Sequence, residues 1–299
     1  METAHVADVQ SEKHGRGPRL IRKIAALATC FNRRELTLKS LEALYAQRGI
    51  CRVDLTVFLV DDASRDGTAE GVKSAFPQVR LLRGDGSLFW NGGMRMAFDA
   101  AMRGDFDAYI WFNDDSHLDP DALSRLIATA EANLADDYGV IVTGSMRSMT
   151  TGELSYGGWR KREDGLHLHF EAVQPDPEHA LRCDTVNGNL TLISARAAQL
   201  LGNLDPVFRH QIGDFDYGLR ASRLGVPVFV APGFYGDCSD NSSEGTWRDR
   251  NIPLKQRWKH LLSPKGAPLR EWIHYTHRHF GWRWPFYAIS PYLKTLLGR

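Results

Sequence analysis

Short apolar runs that end abruptly in polar residues dominate the first half of the chain. The run AYIWF, which begins at Ala108, stops at Asn113, Asp114 and Asp115, and a Pro-led helical pattern follows over residues 120–134. This pattern is typical of a buried strand that leads into a helix, and open α/β sheets bind ligands at the carboxyl ends of their strands. The two carboxylates are therefore candidates to hold a metal ion, and the alternative is that they only start a turn or cap the helix.

Two more units of the same design precede this one. Residues 55–62 (LTVFLVDD) end in Asp61 and Asp62 and lead into a helical pattern over 68–76, and residues 23–29 (KIAALAT) lead through CFNRR into another helix. Three strand-then-helix units predict a parallel sheet with right-handed crossovers whose polar strand ends open on one edge.

The remaining pattern continues this alternation less regularly. Apolar runs predict strands over 138–146, 183–193 and 227–232, helical periodicity predicts helices over 195–201 and 213–225, and the segment TGELSYGGWRKREDG predicts a hairpin or loop. We expect a loose polar tail over 1–20, a catalytic domain over 21–245 and a C-terminal helical extension over 246–299, which is rich in aromatic and basic residues.

Composition narrows the class of protein. With 299 residues, 43% of them hydrophobic, the chain can bury a sizeable core, and its net charge of +1 gives no support for bulk nucleic-acid binding. The four cysteines have no CxxC spacing, which indicates reduced thiols and a cytoplasmic location. The first residues contain no apolar core of a signal peptide, and no apolar run reaches the roughly 18 residues of a spanning helix.

Four motifs together resemble a known family. The stretches TCFNRRELTLKSLEALYAQ, VDDASRDGT, NDD and GDFDYGLRASRLG resemble, in their order, the family 2 nucleotide-sugar glycosyltransferases with the GT-A fold, of the type that builds bacterial cell-surface polysaccharides. The resemblance implies an α/β fold with a Rossmann-like, mostly parallel sheet flanked by helices. It also implies inverting, metal-dependent transfer of a sugar from a nucleoside diphosphate to a hydroxyl of a glycan or lipid-linked glycan.

The resemblance assigns the metal to Asp115, with Mg²⁺ or Mn²⁺ as the ion, because carboxylate oxygens suit both. Asn113 stands at the first position of the family's Asp-x-Asp motif, so Asn113 and Asp114 are expected to face the donor. A third ligand stays open between Asp237 and Cys238.

The resemblance also assigns the nucleotide, a UDP or dTDP sugar, to the other strand ends. Thr29 and Phe31 would contact the base, and Asp62 would accept a hydrogen bond from a base N–H. The alternative is that Asp61 and Asp62 organise the turn that follows them, and we expect one of the two to do so.

Residues 84–95 (GDGSLFWNGGMR) lack the glycine spacing of dinucleotide and P-loop sites. We expect Asn91 and Gly92 to open a helix that begins at Met94, where backbone N–H groups and Arg95 would meet the donor diphosphate. The alternative is a tight turn in which the neighbouring aromatic side chains belong to the core.

Asp214 and Asp216 are the candidate catalytic acids. By resemblance Asp214 is the base that takes the proton of the acceptor hydroxyl, and Asp216 supports it. Gly213 stands where the family has Glu. The alternatives are that both acids favour a helix N-terminus and that Asp216 forms a surface ion pair with Arg220. His210 would touch the acceptor or be structural.

The C-terminal extension allows two interpretations. Its aromatic and basic residues suit contact with a membrane interface or a lipid carrier at the inner face of the membrane, or a helical lid packed on the catalytic domain. For the whole chain the alternative functions are a sugar nucleotidyltransferase and a donor-binding subunit without catalysis.

Overall fold

A ten-stranded sheet forms the centre of the protein, in a computed structural model that describes residues 20–165, 167–238 and 244–298. Almost all of the tail expected over 1–20 lies outside the described residues. The strands are β1 (Lys23–Cys30), β2 (Asp54–Asp61), β3 (Arg80–Arg83), β4 (Ala108–Phe112), β5 (His117–Leu118), β6 (Ile141–Ser148), β7 (Leu154–Tyr156), β8 (Gly158–Asp164), β9 (His167–Ala172), β10 (Leu181–Arg182), β11 (Thr185–Val186), β12 (Leu190–Ser194) and β13 (Val228–Cys238). The helices are α1 (Arg34–Tyr45), α2 (Thr68–Ala75), α3 (Phe89–Met102), α4 (Ala122–Ala132), α5 (Ala195–Leu201), α6 (Gly213–Arg223), α7 (Leu254–Leu261), α8 (Leu269–His279) and α9 (Trp284–Leu296).

Four neighbouring strands of this sheet are parallel, in the order β3, β2, β1, β4. Their registers align the strand ends, since Thr29 pairs with Val60 and Cys30 with Asp61. Beyond β4 the sheet becomes mixed: β12 runs antiparallel between β4 and β6, and β13 is parallel to β6. The architecture confirms the predicted α/β class with a GT-A type sheet flanked by helices.

Alternation along each strand divides the core into two layers. In β1, Ile24, Ala26 and Ala28 face the cluster that includes α1, α2 and α4, whereas Ala25 and Leu27 face the cluster that includes α3, α5 and α6. Successive side chains of a strand point to opposite faces, so a continuous apolar strand has to be covered on both sides. The carboxyl ends of the parallel strands remain uncovered by these helices.

A smaller sheet and the C-terminal helices form a third cluster beside the main sheet. The small sheet has the order β11, β8, β9. Leu168 of this sheet, Phe208, Leu219 of α6, and Tyr275 and Phe280 of the C-terminal region share one buried apolar cluster. The extension is therefore joined to the region that carries α6.

The structure differs from the sequence prediction in two places that affect the site. Helix α3 begins at Phe89 and not at Met94, because Asp62 accepts hydrogen bonds from the backbone N–H groups of Leu88 and Phe89 and so ends the preceding loop early. The single strand expected over 183–193 is two strands, β11 and β12, separated by a turn at residues 187–189.

Candidate active site at the carboxyl edge of the sheet

Asp114 and Asp115 follow β4 and share one arginine. Arg33, from the turn after β1, places Nη1 at 3.2 Å from Asp114 Oδ1 and 2.8 Å from Asp115 Oδ2. Asp114 is buried, and burial raises its pKa to about 7 although Arg33 opposes this change. Asp115 is more open to solvent. The edge thus presents two carboxylates that already attract one cationic group.

The two candidates for a further metal ligand lie in different places. Cys238 Sγ lies 3.7 Å from Asp115 Oδ1 and accepts a hydrogen bond from the Asn189 amide. Asp237 instead forms a 2.8 Å ion pair with Arg147. Burial and the nearby Asp115 raise the pKa of Cys238 to about 12, so it is a protonated thiol in the structure. Among the described residues, no three His, Cys, Asp or Glu side chains are grouped to hold a metal ion.

The residues expected to bind the nucleotide base differ in accessibility. Thr29 is buried and its hydroxyl donates to the Val60 carbonyl, whereas half of Phe31 is exposed beside the edge. Asp61 accepts the N–H of Ser64 and so organises the turn after β2. Asp62 is buried and accepts the N–H groups of residues 86, 88 and 89, so it holds the loop before α3. Its hydrogen bond to a base stays a prediction.

Asn91 and Gly92 make contacts within the protein where donor contacts were expected, and their donor role stays a prediction. Asn91 is fully buried and donates its amide to the carbonyls of Asp205 and Phe208. The Asn91 N–H donates to the Arg209 carbonyl, and the Gly92 N–H donates to the Leu88 carbonyl at 3.1 Å and to the Arg209 carbonyl at 3.4 Å. These residues join α3 to the segment 205–212 and leave no free N–H for a diphosphate. Arg95 is exposed one turn further along α3, and its donor role stays a prediction.

Close packing at Asn91 accounts for Gly213, where the family resemblance leads one to expect Glu. A Cβ atom at position 213 would collide with the Asn91 carboxamide. Any side chain there would displace Asn91 or α6, so the two residues are coupled sterically.

Trp90 links the two carboxylates after β4 to the rest of the site, a role that the sequence did not reveal. Its Nε1 donates to Asn113 Oδ1 at 2.8 Å, so the amide oxygen of Asn113 is directed at the tryptophan. Its ring lies so close to Gly188 that a Cβ there would collide with it. Trp90 therefore connects the end of β4 with the turn at 187–189.

The turn at 187–189 contacts both the carboxylates after β4 and the candidate base Asp214. The Asn189 carbonyl accepts the N–H of Asn113, and its amide donates to Cys238 beside Asp115. The N–H of Gly188, one residue earlier, donates to Asp214 Oδ2 at 2.9 Å. The turn at 187–189, with the sequence Asn-Gly-Asn, thus connects the carboxylates after β4 to the candidate base Asp214. The turn-forming composition of these residues was the only signal of this connection in the sequence.

Asp214 lacks a charged partner among the described residues. Burial raises its pKa, and the backbone N–H groups of Gly188 and Phe215 oppose this rise only in part. A carboxylate with a raised pKa accepts a proton more readily than an ordinary aspartate, which is the property that a general base needs.

Asp216 is in the opposite situation. It is fully buried and contacts Arg220 at 2.9 Å, Arg278 at 2.8 Å and His279 at 2.8 Å. Burial alone would raise its pKa, but His279, Arg220 and Arg278 together lower it below the ordinary value. The Asp216–Arg220 pair expected at the surface is therefore part of a buried cluster that ties α6 to α8.

Helix α8 also holds the segment that leads to Asp214. Glu271 accepts from Arg209 Nε at 2.6 Å and from its backbone N–H at 3.2 Å, and Arg278 bonds Asp205 at 2.6 Å. Three residues after Arg209, Ile212 adopts a left-handed backbone (φ 74°), which is costly for a β-branched residue. The contacts from α8 fix this conformation directly before α6.

His210 projects from the same segment toward α3. Its Nδ1 accepts the N–H of Trp90 at 3.4 Å and its ring packs edge-on against Phe89. Burial, with the positive charges of Lys265 and Arg33, lowers its pKa to about 4. His210 is therefore a neutral imidazole near neutral pH, packed against the first turn of α3.

Comparisons with known proteins agree with the fold. Residues 26–174 match the family model described as Glycosyl transferase family 2, whereas no curated protein matches the chain. Many solved structures are similar in fold, including the following two. A mannosyltransferase from Pyrobaculum calidifontis, in complex with GDP-Man and Mn²⁺, is 16% identical with a TM-score of 0.51 over 92% of this chain and 75% of its own. GalNAc-T7, with UDP, GalNAc and Mn²⁺, is 13% identical with a TM-score of 0.55 over 71% of this chain and 42% of its own.

Proposed function

We propose that this chain, a glycosyltransferase with the GT-A fold, transfers a sugar from a nucleoside diphosphate to a hydroxyl with inversion of the anomeric carbon. The observation that carries this proposal is the turn at 187–189, which connects the two carboxylates after β4 to Asp214. The carboxylates after β4 would hold the leaving diphosphate through a metal ion, and Asp214 would take the proton of the attacking hydroxyl. Direct displacement between them inverts the sugar.

Asp115 would hold a divalent cation, Mg²⁺ or Mn²⁺, with Asp114 beside it. The donor set fits such an ion because two carboxylates share one cationic group, the half-exposed guanidinium of Arg33. Mg²⁺ sites commonly use one or two carboxylates and complete their coordination with substrate phosphates. The ion would supply positive charge for the leaving diphosphate. Both similar solved structures contain Mn²⁺, which supports this assignment.

The nucleotide would lie over the ends of β1 and β2. Phe31 is half exposed there and offers an aromatic face for the base, while Asp62 holds the loop that closes this side. We propose a UDP or dTDP sugar. The similar structures carry GDP-Man in one case and UDP in the other, so their fold is compatible with more than one base.

Asp214 would act as the general base and Asp216 as a positioning residue. The raised pKa of Asp214 favours proton uptake, and the hydrogen bond from Gly188 directs its carboxylate toward the turn. Asp216 holds α6 against α8 through two partners on α8, Arg278 and His279, and so would fix the first turn of the helix that carries the base. Neutral His210, beside Trp90 and Phe89, would orient an acceptor hydroxyl.

The acceptor would be a glycan or lipid-linked glycan of a bacterial cell-surface polysaccharide, used at the cytoplasmic face of the membrane. The family resemblance and the apolar, basic C-terminal extension support this proposal. No helix among the described residues is both long and apolar enough to cross a bilayer.

A panel of nucleotide sugars tests the function. In the presence of Mn²⁺ or Mg²⁺, one donor should bind and release its nucleoside diphosphate slowly by hydrolysis, and EDTA should abolish both. Asp115→Asn should weaken binding of that donor while its circular dichroism and melting temperature match the wild type. Asp99→Asn, which changes an exposed ion pair on α3, is the matched control and should retain donor binding.

Full donor hydrolysis in EDTA would contradict the metal assignment. Donor binding without turnover in the presence of any acceptor would indicate a binding subunit. Release of pyrophosphate from a sugar phosphate and a nucleoside triphosphate would indicate a nucleotidyltransferase.

A further inference from the structure

Helix α9 presents an uncovered apolar face to solvent. Phe286, Ile289, Leu293 and Leu296 recur at intervals of three and four residues and are at least half exposed, with Phe286 at 71%. This spacing places the four side chains along one side of a helix. Trp282, 63% exposed, lies at the start of the same stripe, and Leu297, 66% exposed, lies at its end. We call these six residues the α9 stripe.

The opposite side of α9 is fully used in packing. Ala288, Pro291 and Thr295 are buried, Tyr292 stacks on Trp258 of α7, and the Tyr287 carbonyl accepts from Trp272 of α8. The helix is therefore anchored by one face, and the α9 stripe is a second, outward apolar face. Exposed apolar patches of this size mark interaction sites in soluble domains.

Charge along the chain identifies the kind of partner. Residues 246–299 contain eleven Lys and Arg against two Asp and Glu, and residues 272–299 contain no acid at all. Because the whole chain has a net charge of +1, the preceding 245 residues carry a net charge of −8. Of the two acids in the extension, Glu271 is buried against Arg209. Arg278 and Arg283 pair with acids outside the extension, whereas its four lysines form no ion pair with the described residues, so the extension keeps an excess of positive charge.

We propose that the α9 stripe inserts into the interface of an anionic lipid bilayer, with the basic side chains of the extension on the lipid headgroups. A helix that lies in the interface buries an apolar face at the level of the headgroups and gains electrostatic attraction to anionic lipids. At 13 residues α9 is about 20 Å long, which suits a helix lying on the surface. Trp282 is the residue type that favours this depth.

The same charge disfavours a second copy of the chain as the occupant. Two α9 stripes meeting face to face in a symmetric pair would bring two acid-poor, basic extensions together, and like charges oppose such an interface. An anionic surface instead lowers the electrostatic free energy of the extension. The proposal also places the catalytic domain beside the membrane, since α8 joins α9 to α6.

Vesicle co-sedimentation tests the proposal with the full chain. The protein should sediment with phosphatidylcholine vesicles that contain phosphatidylglycerol, and much less with phosphatidylcholine alone or at high salt. Phe286→Ser with Leu293→Ser should reduce binding by at least about tenfold, because each removes apolar surface from the interface. Lys294→Glu should give a smaller loss that high salt removes. Leu224→Ser, which changes an equally exposed leucine directly after α6, is the matched control and should bind as the wild type does.

Two readouts keep this proposal separate from the proposed function. Donor hydrolysis should be the same in the α9 variants and the wild type, so a chain that binds vesicles but hydrolyses no donor would refute only the proposed function. Absence of binding to anionic vesicles would overturn the membrane proposal. A wild-type dimer in analytical ultracentrifugation that becomes monomeric in the Phe286, Leu293 variant would overturn it in favour of a second copy.

Discussion

Asp214 and Asp216 lie two residues apart on the first turn of α6 and have opposite environments. Asp214 accepts only backbone and amide N–H groups among the described residues, and burial raises its pKa. Asp216 is bound by two arginines and a histidine that together lower its pKa. Two aspartates of one motif thus differ in role: Asp214 is suited to proton transfer, whereas Asp216 is part of a buried ionic cluster that holds α6 in place.

Helix geometry explains the difference. Two residues along an α-helix are about 200° apart around its axis, so the two carboxylates point to different sides. One side of α6 meets the turn at 187–189, which offers N–H groups without charge, and the other meets α8, which offers cations. The motif fixes the spacing of the acids, and the partners on each side decide their roles.

The largest expected effect comes from Asp216→Asn. Removing one member of a buried ionic cluster leaves its cations without compensation, and we expect a loss of about 3–5 kcal/mol in the free energy of unfolding near neutral pH. Because the folded-state pKa of Asp216 is lowered, its contribution is complete above the unfolded pKa of about 3.9 and disappears as pH falls through the folded value. Urea unfolding at several pH values measures this. A variant as stable as the wild type would show that the cluster does not fix α6.

Asp214→Asn should affect catalysis and not the fold. The amide still occupies the place beside Gly188 but cannot take a proton, so transfer should fall by roughly 10²-fold or more while donor affinity and melting temperature stay unchanged. Single-turnover transfer with saturating donor measures this. Loss of stability together with retained transfer would reverse the two roles.

The pH dependence of transfer should reflect Asp214. Because its pKa is raised, the active carboxylate becomes protonated at a higher pH than an ordinary aspartate, and the rate should fall by about tenfold for each pH unit below that pKa. His210 has a pKa of about 4 and is neutral above it, so His210→Gln should keep the same acid limb. If the acid limb disappears in the His210 variant, the titrating group is His210 and not Asp214, which would contradict our assignment.

Glu271→Gln should have the smallest effect. It keeps the size of the side chain but removes the charge that holds Arg209 and the strained Ile212 segment before α6. We expect a fall of a few-fold in kcat with the donor KM unchanged, since the base would be less well positioned. Glu171→Gln, in an exposed ion pair on the small sheet, is the control. Equal behaviour of the two variants would show that α8 does not position the base.

The sequence predicted the elements that depend on local pattern. The parallel strands, their acidic ends and the helix after Asp214 follow from apolar periodicity, and the motifs located Asp115 and Asp214 at strand and helix ends. The sequence-based prediction failed where a hydrogen bond between distant residues sets the start of an element. Through its hydrogen bonds to the N–H groups of Leu88 and Phe89, Asp62 starts α3 one turn earlier than the glycines suggest. This buries Asn91 and makes Trp90 the link to Asn113.

Other features depend on contacts across the fold that no local pattern encodes. Gly213 is unexplained by its neighbours along the chain and becomes clear only against the Asn91 carboxamide. Asp216 looks like an i, i+4 partner of Arg220, and its two further partners come from a helix more than sixty residues away.

Titration of the two aspartates tests the central claim most directly. Carboxyl ¹³C shifts in protein labelled at aspartate, assigned with the two Asn variants, report each protonation state separately. We predict that Asp214 titrates above the ordinary range of aspartate, while Asp216 stays ionised below that range until the protein unfolds in acid. The opposite order, or one common pKa for both, would contradict the assignment of Asp214 as base and Asp216 as framework.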